Sequence, residues 1–179
     1  DPEMDKFRLE VEAVITTALR DGENDYAVFP FTFSQLETLA GRYPMRKEAA
    51  GVVEAAHKRL TEHVERLAKD HEGRLRPRLQ AARDHSDFYL MRDLYRGFPR
   101  NFLDITDTGK AIKQEIRENE EKIQSRMAAD FESIPRLIDT DEFDTARARL
   151  KRLGHVVPTE KQFQVTELLG ETNKAEAER

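Results

Sequence analysis

A long charged tract, from Pro44 to about Ile138, contains no cysteine, no tryptophan and few residues that break helices. Its first part places apolar residues at helical spacing, as in Val53, Ala56 and Leu60. The same spacing recurs later at Ile112, Ile116, Ile123, Met127, Phe131, Ile134 and Ile138. Such spacing puts apolar side chains on one face of an α-helix. The tract therefore predicts long amphipathic helices that pack against each other or against a partner.

The composition indicates a folded helical protein rather than a disordered one. Charged residues make up 36% of the 179 positions and hydrophobic residues 38%, with ten phenylalanines among them, which is enough apolar surface for a core. No apolar run approaches the roughly 20 residues that a membrane span needs, and the start lacks the apolar segment of a signal peptide. We therefore expect a cytoplasmic protein that does not enter a membrane.

The residues that common catalytic sites require are absent or isolated. The chain has no cysteine, which excludes disulfides, zinc ribbons and thiol catalysis. No serine lies in a Gly-x-Ser-x-Gly elbow, the setting that activates many serine nucleophiles. All eight glycines are isolated, so neither a P-loop nor a dinucleotide-binding fingerprint is present. The sequence predicts a protein that is not an enzyme and has no cofactor.

One pair of residues has the spacing of a metal site. Glu54 and His57 form a Glu-x-x-His segment, which places a carboxylate and an imidazole on one helical face, as di-iron bundles require. Those sites need a second such segment and two further glutamates, and the chain has no second copy. We predict no metal, and a metal-dependent helical-bundle enzyme is the least favoured of three functional hypotheses.

Glycine and proline divide the first half of the chain. Residues 1–43 should form N-terminal helices that pack on a long-helix core at residues 46–138. An irregular or briefly extended segment should span residues 26–33 and supply three phenylalanines to the core, with a short helix starting at a capping box at Ser34. Within the core, Gly73 and Pro77 should break or kink the helix before a second stretch reaches about Tyr95.

The second half reads as further helices. A cluster of side chains that commonly cap helix N-termini precedes the long acidic helix, at Asp104, Thr106, Asp107 and Thr108. Residues 141–170 should form a helical hairpin, with Gly154 ending its first helix, and residues 171–179 a disordered polar tail. Taken together, the pattern predicts one all-α domain over residues 1–170, a helical bundle with long antiparallel helices and smaller terminal helices.

The segment from Arg74 to Phe102 is the best candidate for a functional site. Between positions 74 and 100 it carries seven arginines and three acidic residues, although the whole chain has a net charge of −5. Guanidinium groups bind carboxylate or phosphate through paired hydrogen bonds, and aromatic rings give rigid contact area. The predicted partner-binding residues are Arg78, Arg83, Tyr89, Arg92, Tyr95, Arg96, Phe98 and Arg100.

A structural role for the same segment is the competing interpretation. In that case Tyr95 and its apolar neighbours belong to the core, and Arg92 and Arg96 pair with the acidic stretch 115–121 of the next helix. Charged runs on helices more often form solvated faces than binding sites. The sequence leaves both interpretations open.

The functional hypotheses follow from these surfaces. We expect a non-enzymatic α-helical protein–protein interaction or assembly module, an adaptor or complex subunit with protein partners; self-association is left open. The alternative is a nucleic-acid-associated subunit of a replication or repair type complex, binding through residues 74–102. An arginine-rich helix (residues 71–82) followed by Asp104-Ile105-Thr106 and a long acidic helix is distantly similar to helical subunits of the archaeal replication complex GINS. No specific motif accompanies this order, so no family is assigned.

Overall fold

The computed structural model describes residues 1–179, and it contains helices and no strands. The α-helices are α1 (Pro2–Asp21), α2 (Val28–Ala40), α3 (Lys47–Asp84), α4 (Phe88–Tyr95), α5 (Asp107–Asp139), α6 (Phe143–Val156) and α7 (Gln162–Ala177). Short 3-10 helices lie at Arg100–Phe102 and Thr159–Lys161. The predicted all-α class with long helices is confirmed. None of the helices has both the length and the apolar character needed to cross a membrane.

Contacts within the chain divide it into two compact units. Unit 1 comprises residues 1–86 and 91–116, and unit 2 comprises residues 87–90 and 117–179. Helices α4 and α5 each contribute residues to both units. That residues 1–170 form one domain stays a prediction.

Helix α1 begins and ends at residues suited to those positions. The Asp1 carboxylate accepts a 3.0 Å hydrogen bond from the amide of Glu3, which satisfies one of the unpaired amides at the helix start. At the other end, a Cβ on Gly22 would lie 2.3 Å from a ring carbon of Phe29, so only glycine fits there. The buried stripe of α1 consists of Met4, Phe7, Val11, Ile15 and Ala18.

Helix α2 corrects the prediction for residues 26–33. These residues are not irregular, because α2 already begins at Val28. Pro30 lies in the first turn, where a helix does not use the amide that proline lacks. Ser34 does not cap a helix; it lies inside α2 and its hydroxyl donates to the Pro30 carbonyl at 3.3 Å. The expected core position of Phe31 is also wrong, since this side chain is 65% exposed.

Helix α3 runs without interruption through the predicted break. Its 38 residues include both Gly73 and Pro77. It ends at Asp84, not near Tyr95, and Ser86 then adopts a left-handed conformation with φ of 51° before α4 begins. Its buried residues are Ala49, Val53, Ala56, Leu60, Val64, Ala68, Leu79 and Ala82.

Ring contacts show that α2 and α3 are antiparallel. The Phe33 ring lies 4.9 Å from that of His57, and the Phe29 ring lies 5.9 Å from that of His63. Residue numbers therefore fall along α2 while they rise along α3. This antiparallel pair forms part of the core of unit 1.

Helix α5 begins at the predicted cluster of capping residues. The Thr106 hydroxyl accepts a 2.8 Å hydrogen bond from the amide of Gly109, as an N-cap side chain does. A second cap comes from α3: the Glu65 carboxylate accepts hydrogen bonds from the amides of Asp107 and Thr108 at 2.8 and 3.1 Å. Burial alone would raise the pKa of Glu65, but the hydrogen bonds from Thr108 and Asp107 outweigh it and lower the pKa.

Unit 2 contains the predicted C-terminal hairpin. The Gln162 side-chain amide donates to the carbonyls of Gly154 and Val157 at 2.9 and 3.2 Å, next to the turn. At the far end Arg147 bonds to Glu176 at 2.6 Å, so α6 and α7 are antiparallel. The hydrophobic core of unit 2 consists of Ile123, Met127, Ile134, Leu137, Ala146, Leu150, Leu153, Val157 and Val165.

Both helices of this hairpin are longer than predicted. Gly154 does not end α6, which continues to Val156. The predicted disordered tail at residues 171–179 is helical up to Ala177, and Thr172 within it is fully buried. Most residues of this stretch are polar and exposed, which is why the sequence predicted a disordered tail.

Candidate interaction surface

The aromatic rings of the segment 74–102 lie mostly inside unit 1. Tyr95, Phe98 and Phe102 are 4%, 2% and 0% exposed, and the Phe98 and Phe102 ring centroids are 6.3 Å apart. Buried rings contribute packing area to the core and are not accessible to a partner. Tyr95 and Phe98, predicted as partner-binding residues, are therefore core residues.

Two other predicted residues occupy intermediate positions. Tyr89 lies in unit 2 and Arg92 in unit 1, and both side chains are half-buried. Each also takes part in contacts within the chain. Neither is an open surface group.

Glu115 on α5 is the centre of a polar network in unit 1. Its two carboxylate oxygens accept hydrogen bonds from the guanidinium of Arg76 at 2.7 and 2.8 Å, a two-pronged geometry that is stronger than a single contact. The Tyr95 hydroxyl donates to the same carboxylate at 2.9 Å. Arg83 lies 4.0 Å from it. The network joins α3, α4 and α5, and it uses two arginines of the candidate segment.

The pKa values in this network show how it is charged. Burial alone would raise the pKa of Glu115, but hydrogen bonds from Arg76 and Tyr95 outweigh it and lower the pKa. Burial, and next the hydrogen bond to Glu115, raises the pKa of Tyr95 to about 12. The hydrogen bond to Glu115 raises the pKa of Arg76. At neutral pH the network therefore contains an ionised carboxylate, a protonated hydroxyl and a guanidinium cation.

The prediction that Arg92 and Arg96 pair with the acidic stretch 115–121 is wrong for Arg96, and for Arg92 it stays a prediction. Arg76 and Arg83 reach Glu115, whereas Arg96, which follows α4 directly, pairs with Asp93 on α4 at 3.0 Å. In this exposed pair the Arg96 side chain is 71% exposed. Such a pair stabilises a fold little, so Arg96 remains able to meet a partner.

Of the predicted partner-binding arginines, three are exposed on unit 1 and lie outside the Glu115 network: Arg78, Arg96 and Arg100. We refer to these three residues as the unit 1 arginine surface. Arg78 and Arg100 form no ion pair within the chain. A Cβ on Gly97 would lie 3.7 Å from a methyl group of Leu75 on α3. Because Arg78 follows Leu75 by about one helical turn, the segment 96–100 meets the stretch of α3 that carries Arg78.

Unit 1 also has a shallow groove of about 630 Å³ between α1 and α3. Leu9, 73% exposed, lies on one side and Val52 on the other. Arg59 on α3 bridges to Glu12 on α1 at 2.9 Å. This ion pair joins the two helices along the groove. The groove is therefore the ordinary edge of a helix–helix contact.

The structure brings no set of further metal-ligating side chains to Glu54 and His57. Glu54 and His57 are exposed on α3, and the structure contains no group of three or more His, Asp or Glu side chains that could hold a metal ion. The His71 imidazole forms a 2.9 Å hydrogen bond with the Tyr26 hydroxyl. That bond lies within an aromatic cluster of unit 1.

A basic cluster in unit 2 escaped the sequence analysis. Arg126 on α5 lies beside Arg149 and Arg152 on α6, and the three side chains line one pocket. The spacing of Arg149 and Arg152 on one helical face was a visible signal. Arg126 belongs to a different helix, so only the fold brings the three together.

Comparison with known proteins finds no match: no protein-family model, no curated protein and no solved structure is similar to this chain. Function must therefore be inferred from the chain's own surfaces. Exposed guanidinium groups can bind carboxylates or phosphates.

Proposed function

We propose that this chain is a non-enzymatic α-helical interaction module, an adaptor or complex subunit, that binds an acidic segment of a protein partner. The unit 1 arginine surface would make this contact. The main support is that some arginines of the segment are paired within the chain and others are not. Glu115 holds Arg76 and Arg83, whereas Arg78 and Arg100 keep their guanidinium donors for carboxylates of another molecule.

The burial of the aromatic rings favours a protein over nucleic acid as the partner. Proteins that bind single-stranded nucleic acid stack bases on exposed aromatic rings, and here Tyr95 and Phe98 are in the core. The net charge of −5 also opposes a long polyanion. A nucleic-acid-associated subunit remains the second candidate, because phosphates would also bind Arg78, Arg96 and Arg100.

The first experiment compares two triple variants with the same change in charge. One is Arg78→Gln, Arg96→Gln and Arg100→Gln. The control is Lys6→Gln, Lys58→Gln and Arg66→Gln, three exposed positions elsewhere on unit 1. Each protein is used for affinity capture from native lysate, with and without nuclease, followed by mass spectrometry. We expect a stoichiometric, nuclease-resistant partner that only the first variant loses.

Defined probes then separate the two candidates. Fluorescence anisotropy would measure binding of a glutamate-rich peptide and of a single-stranded oligonucleotide at low and at physiological salt. We expect the peptide to bind, and its affinity to fall about tenfold for each arginine removed. Tighter oligonucleotide binding with a steep salt dependence would instead support the nucleic-acid candidate. If the folded arginine variant behaves as the wild type in every assay, the proposal is wrong.

A further inference from the structure

We infer that unit 2 contains a binding site for a phosphate group, between α5 and α6. The site is a pocket of about 380 Å³ lined by the side chains of Arg126, Arg149 and Arg152. The small residues Ala129 and Ala148 also line it, and they leave room for a ligand between the guanidinium groups. This site is separate from the unit 1 arginine surface and does not depend on the proposed function.

Two of the three guanidinium groups are oriented by the protein itself. Arg149 is half-buried and donates a 2.6 Å hydrogen bond to the Ser133 hydroxyl. That hydroxyl donates in turn to the backbone carbonyl of Asp130 at 2.7 Å. The Arg126 Nε atom lies 3.6 Å from the Asp130 carboxylate. Fixing these side chains in advance reduces the entropy that a ligand must overcome when it binds.

The charges in the pocket match a doubly charged anion. Three guanidinium groups face one carboxylate, that of Asp130, which is 7% exposed. Arg152 is exposed and forms no ion pair within the chain. A phosphate monoester carries about −1.5 to −2 charges at neutral pH and offers three acceptor oxygens. It would neutralise the excess positive charge, and the guanidinium forks suit its geometry.

The surroundings of the pocket favour a compact ligand over a nucleic acid. Its volume of about 380 Å³ lies within the range of small-molecule sites. Acidic side chains outnumber basic ones in unit 2 as a whole, so a long polyanion would be repelled outside the pocket. The phosphate group therefore belongs either to a small soluble molecule or to a lipid headgroup.

The test is isothermal titration of the full chain with inorganic pyrophosphate. Arg152→Gln is the principal variant, because Arg152 has no ion pair to lose and the fold should be unaffected. Arg149→Gln and Arg149→Lys form a second pair: lysine keeps the charge but not the fork. Arg136→Gln is the control, since Arg136 is exposed on α5 outside the pocket. We expect the two glutamine variants to weaken binding about tenfold each, Arg149→Lys to fall in between, and Arg136→Gln to have no effect.

A vesicle arm identifies the source of the phosphate group. Co-sedimentation would compare phosphatidylcholine vesicles with and without a phosphoinositide. Loss of pyrophosphate binding on substitution of Arg149 or Arg152 supports a small soluble ligand. Arginine-dependent binding to phosphoinositide vesicles alone supports a lipid headgroup. No binding in either arm, or equal weakening by Arg136→Gln, overturns the inference.

Discussion

Gly109 illustrates how a single residue fixes the start of a helix. It lies in the first turn of α5, where the Thr106 hydroxyl caps its amide. A Cβ at this position would lie 1.8 Å from the Phe102 carbonyl oxygen and 2.6 Å from the Thr106 hydroxyl. Both distances are far below van der Waals contact. The close approach of two backbone segments therefore requires glycine here. The sequence does not distinguish this glycine from the other isolated glycines of the chain.

Substitution of Gly109 by alanine should destabilise unit 1. The Cβ would displace the backbone at Phe102 and disturb the Thr106 cap, so we expect Gly109→Ala to lower the free energy of unfolding by about 2 to 4 kcal/mol. Chemical denaturation followed by circular dichroism would measure this change. The control is Gly51→Ala on α3, where a Cβ meets no atom within 4 Å and alanine should stabilise the helix by about 0.5 to 1 kcal/mol. Equal effects of the two substitutions would contradict the steric argument.

At the scale of the elements, Pro77 shows why local rules did not locate every helix end. Proline removes one helical hydrogen bond and crowds the carbonyl four residues earlier, here that of Gly73. This is why the sequence predicted a break. The apolar stripe of α3 nevertheless continues past it to Leu79 and Ala82, which are buried. Pro77 itself is exposed, so water can hydrate the carbonyl that loses its partner, and packing on the buried side outweighs the local cost.

If this account is correct, Pro77→Ala should stabilise the protein. Proline inside a helix costs about 3 kcal/mol relative to alanine, whereas its restriction of the unfolded chain contributes only about 0.4 to 1 kcal/mol of stability. We expect a net gain of about 2 kcal/mol in denaturant unfolding. Pro2→Ala is the matched control, because Pro2 opens α1, where its missing amide is not needed, and it should be near neutral. A loss of stability in Pro77→Ala would mean that the proline ring is required by the fold.

Helix existence was predictable from apolar spacing, but helix ends were less so. The α5 start at Thr106 was predicted because local residues determine it. The start of α2 was not predicted because proline usually interrupts a helix. Pro30 is tolerated only because it lies in the first turn, and the sequence alone does not show that position. The extended part of α7 makes contacts that lie outside its own sequence, since Thr172 is buried and Arg147 of α6 bonds to Glu176. Such long-range contacts leave little local signal.

At the scale of the whole molecule, the same limit applies to the candidate sites. The sequence identified an arginine-rich segment as the candidate site. In the structure, however, Tyr95 and Phe98 are buried in the core and Arg76 is paired with Glu115. Burial decides which residues of a segment remain on the surface, and burial depends on every packed neighbour. The unit 2 pocket needs Arg126 and Arg149 from two helices. Only a complete fold separates structural from exposed arginines.

The stability of the whole chain should also depend on pH through two histidines of unit 1. Burial, and next the charge of Arg66, lowers the pKa of His63. Burial, and next the charge of Arg74, lowers the pKa of His71. The unfolded chain therefore takes up protons at a higher pH than the folded chain does. Stability is greatest above the ordinary histidine pKa of about 6.5 and falls as the pH drops below it.

We expect the free energy of unfolding to decrease as the pH falls from about 7.5 to about 5.5. The carboxyl groups of Glu65 and Glu115 have lowered pKa values, so their contribution is lost only at more acidic pH and does not enter this window. Denaturant unfolding at the two pH values measures the change.

A pair of double variants tests the assignment to these histidines. His63→Gln with His71→Gln should make stability nearly independent of pH between about pH 7.5 and pH 5.5, because the groups that bind protons differently in the two states are gone. The control, His85→Gln with His155→Gln, removes two exposed imidazoles and should leave the wild-type dependence intact. If the first variant keeps the dependence, or the control abolishes it, the pH response arises elsewhere than in the aromatic cluster around Tyr26 and His71.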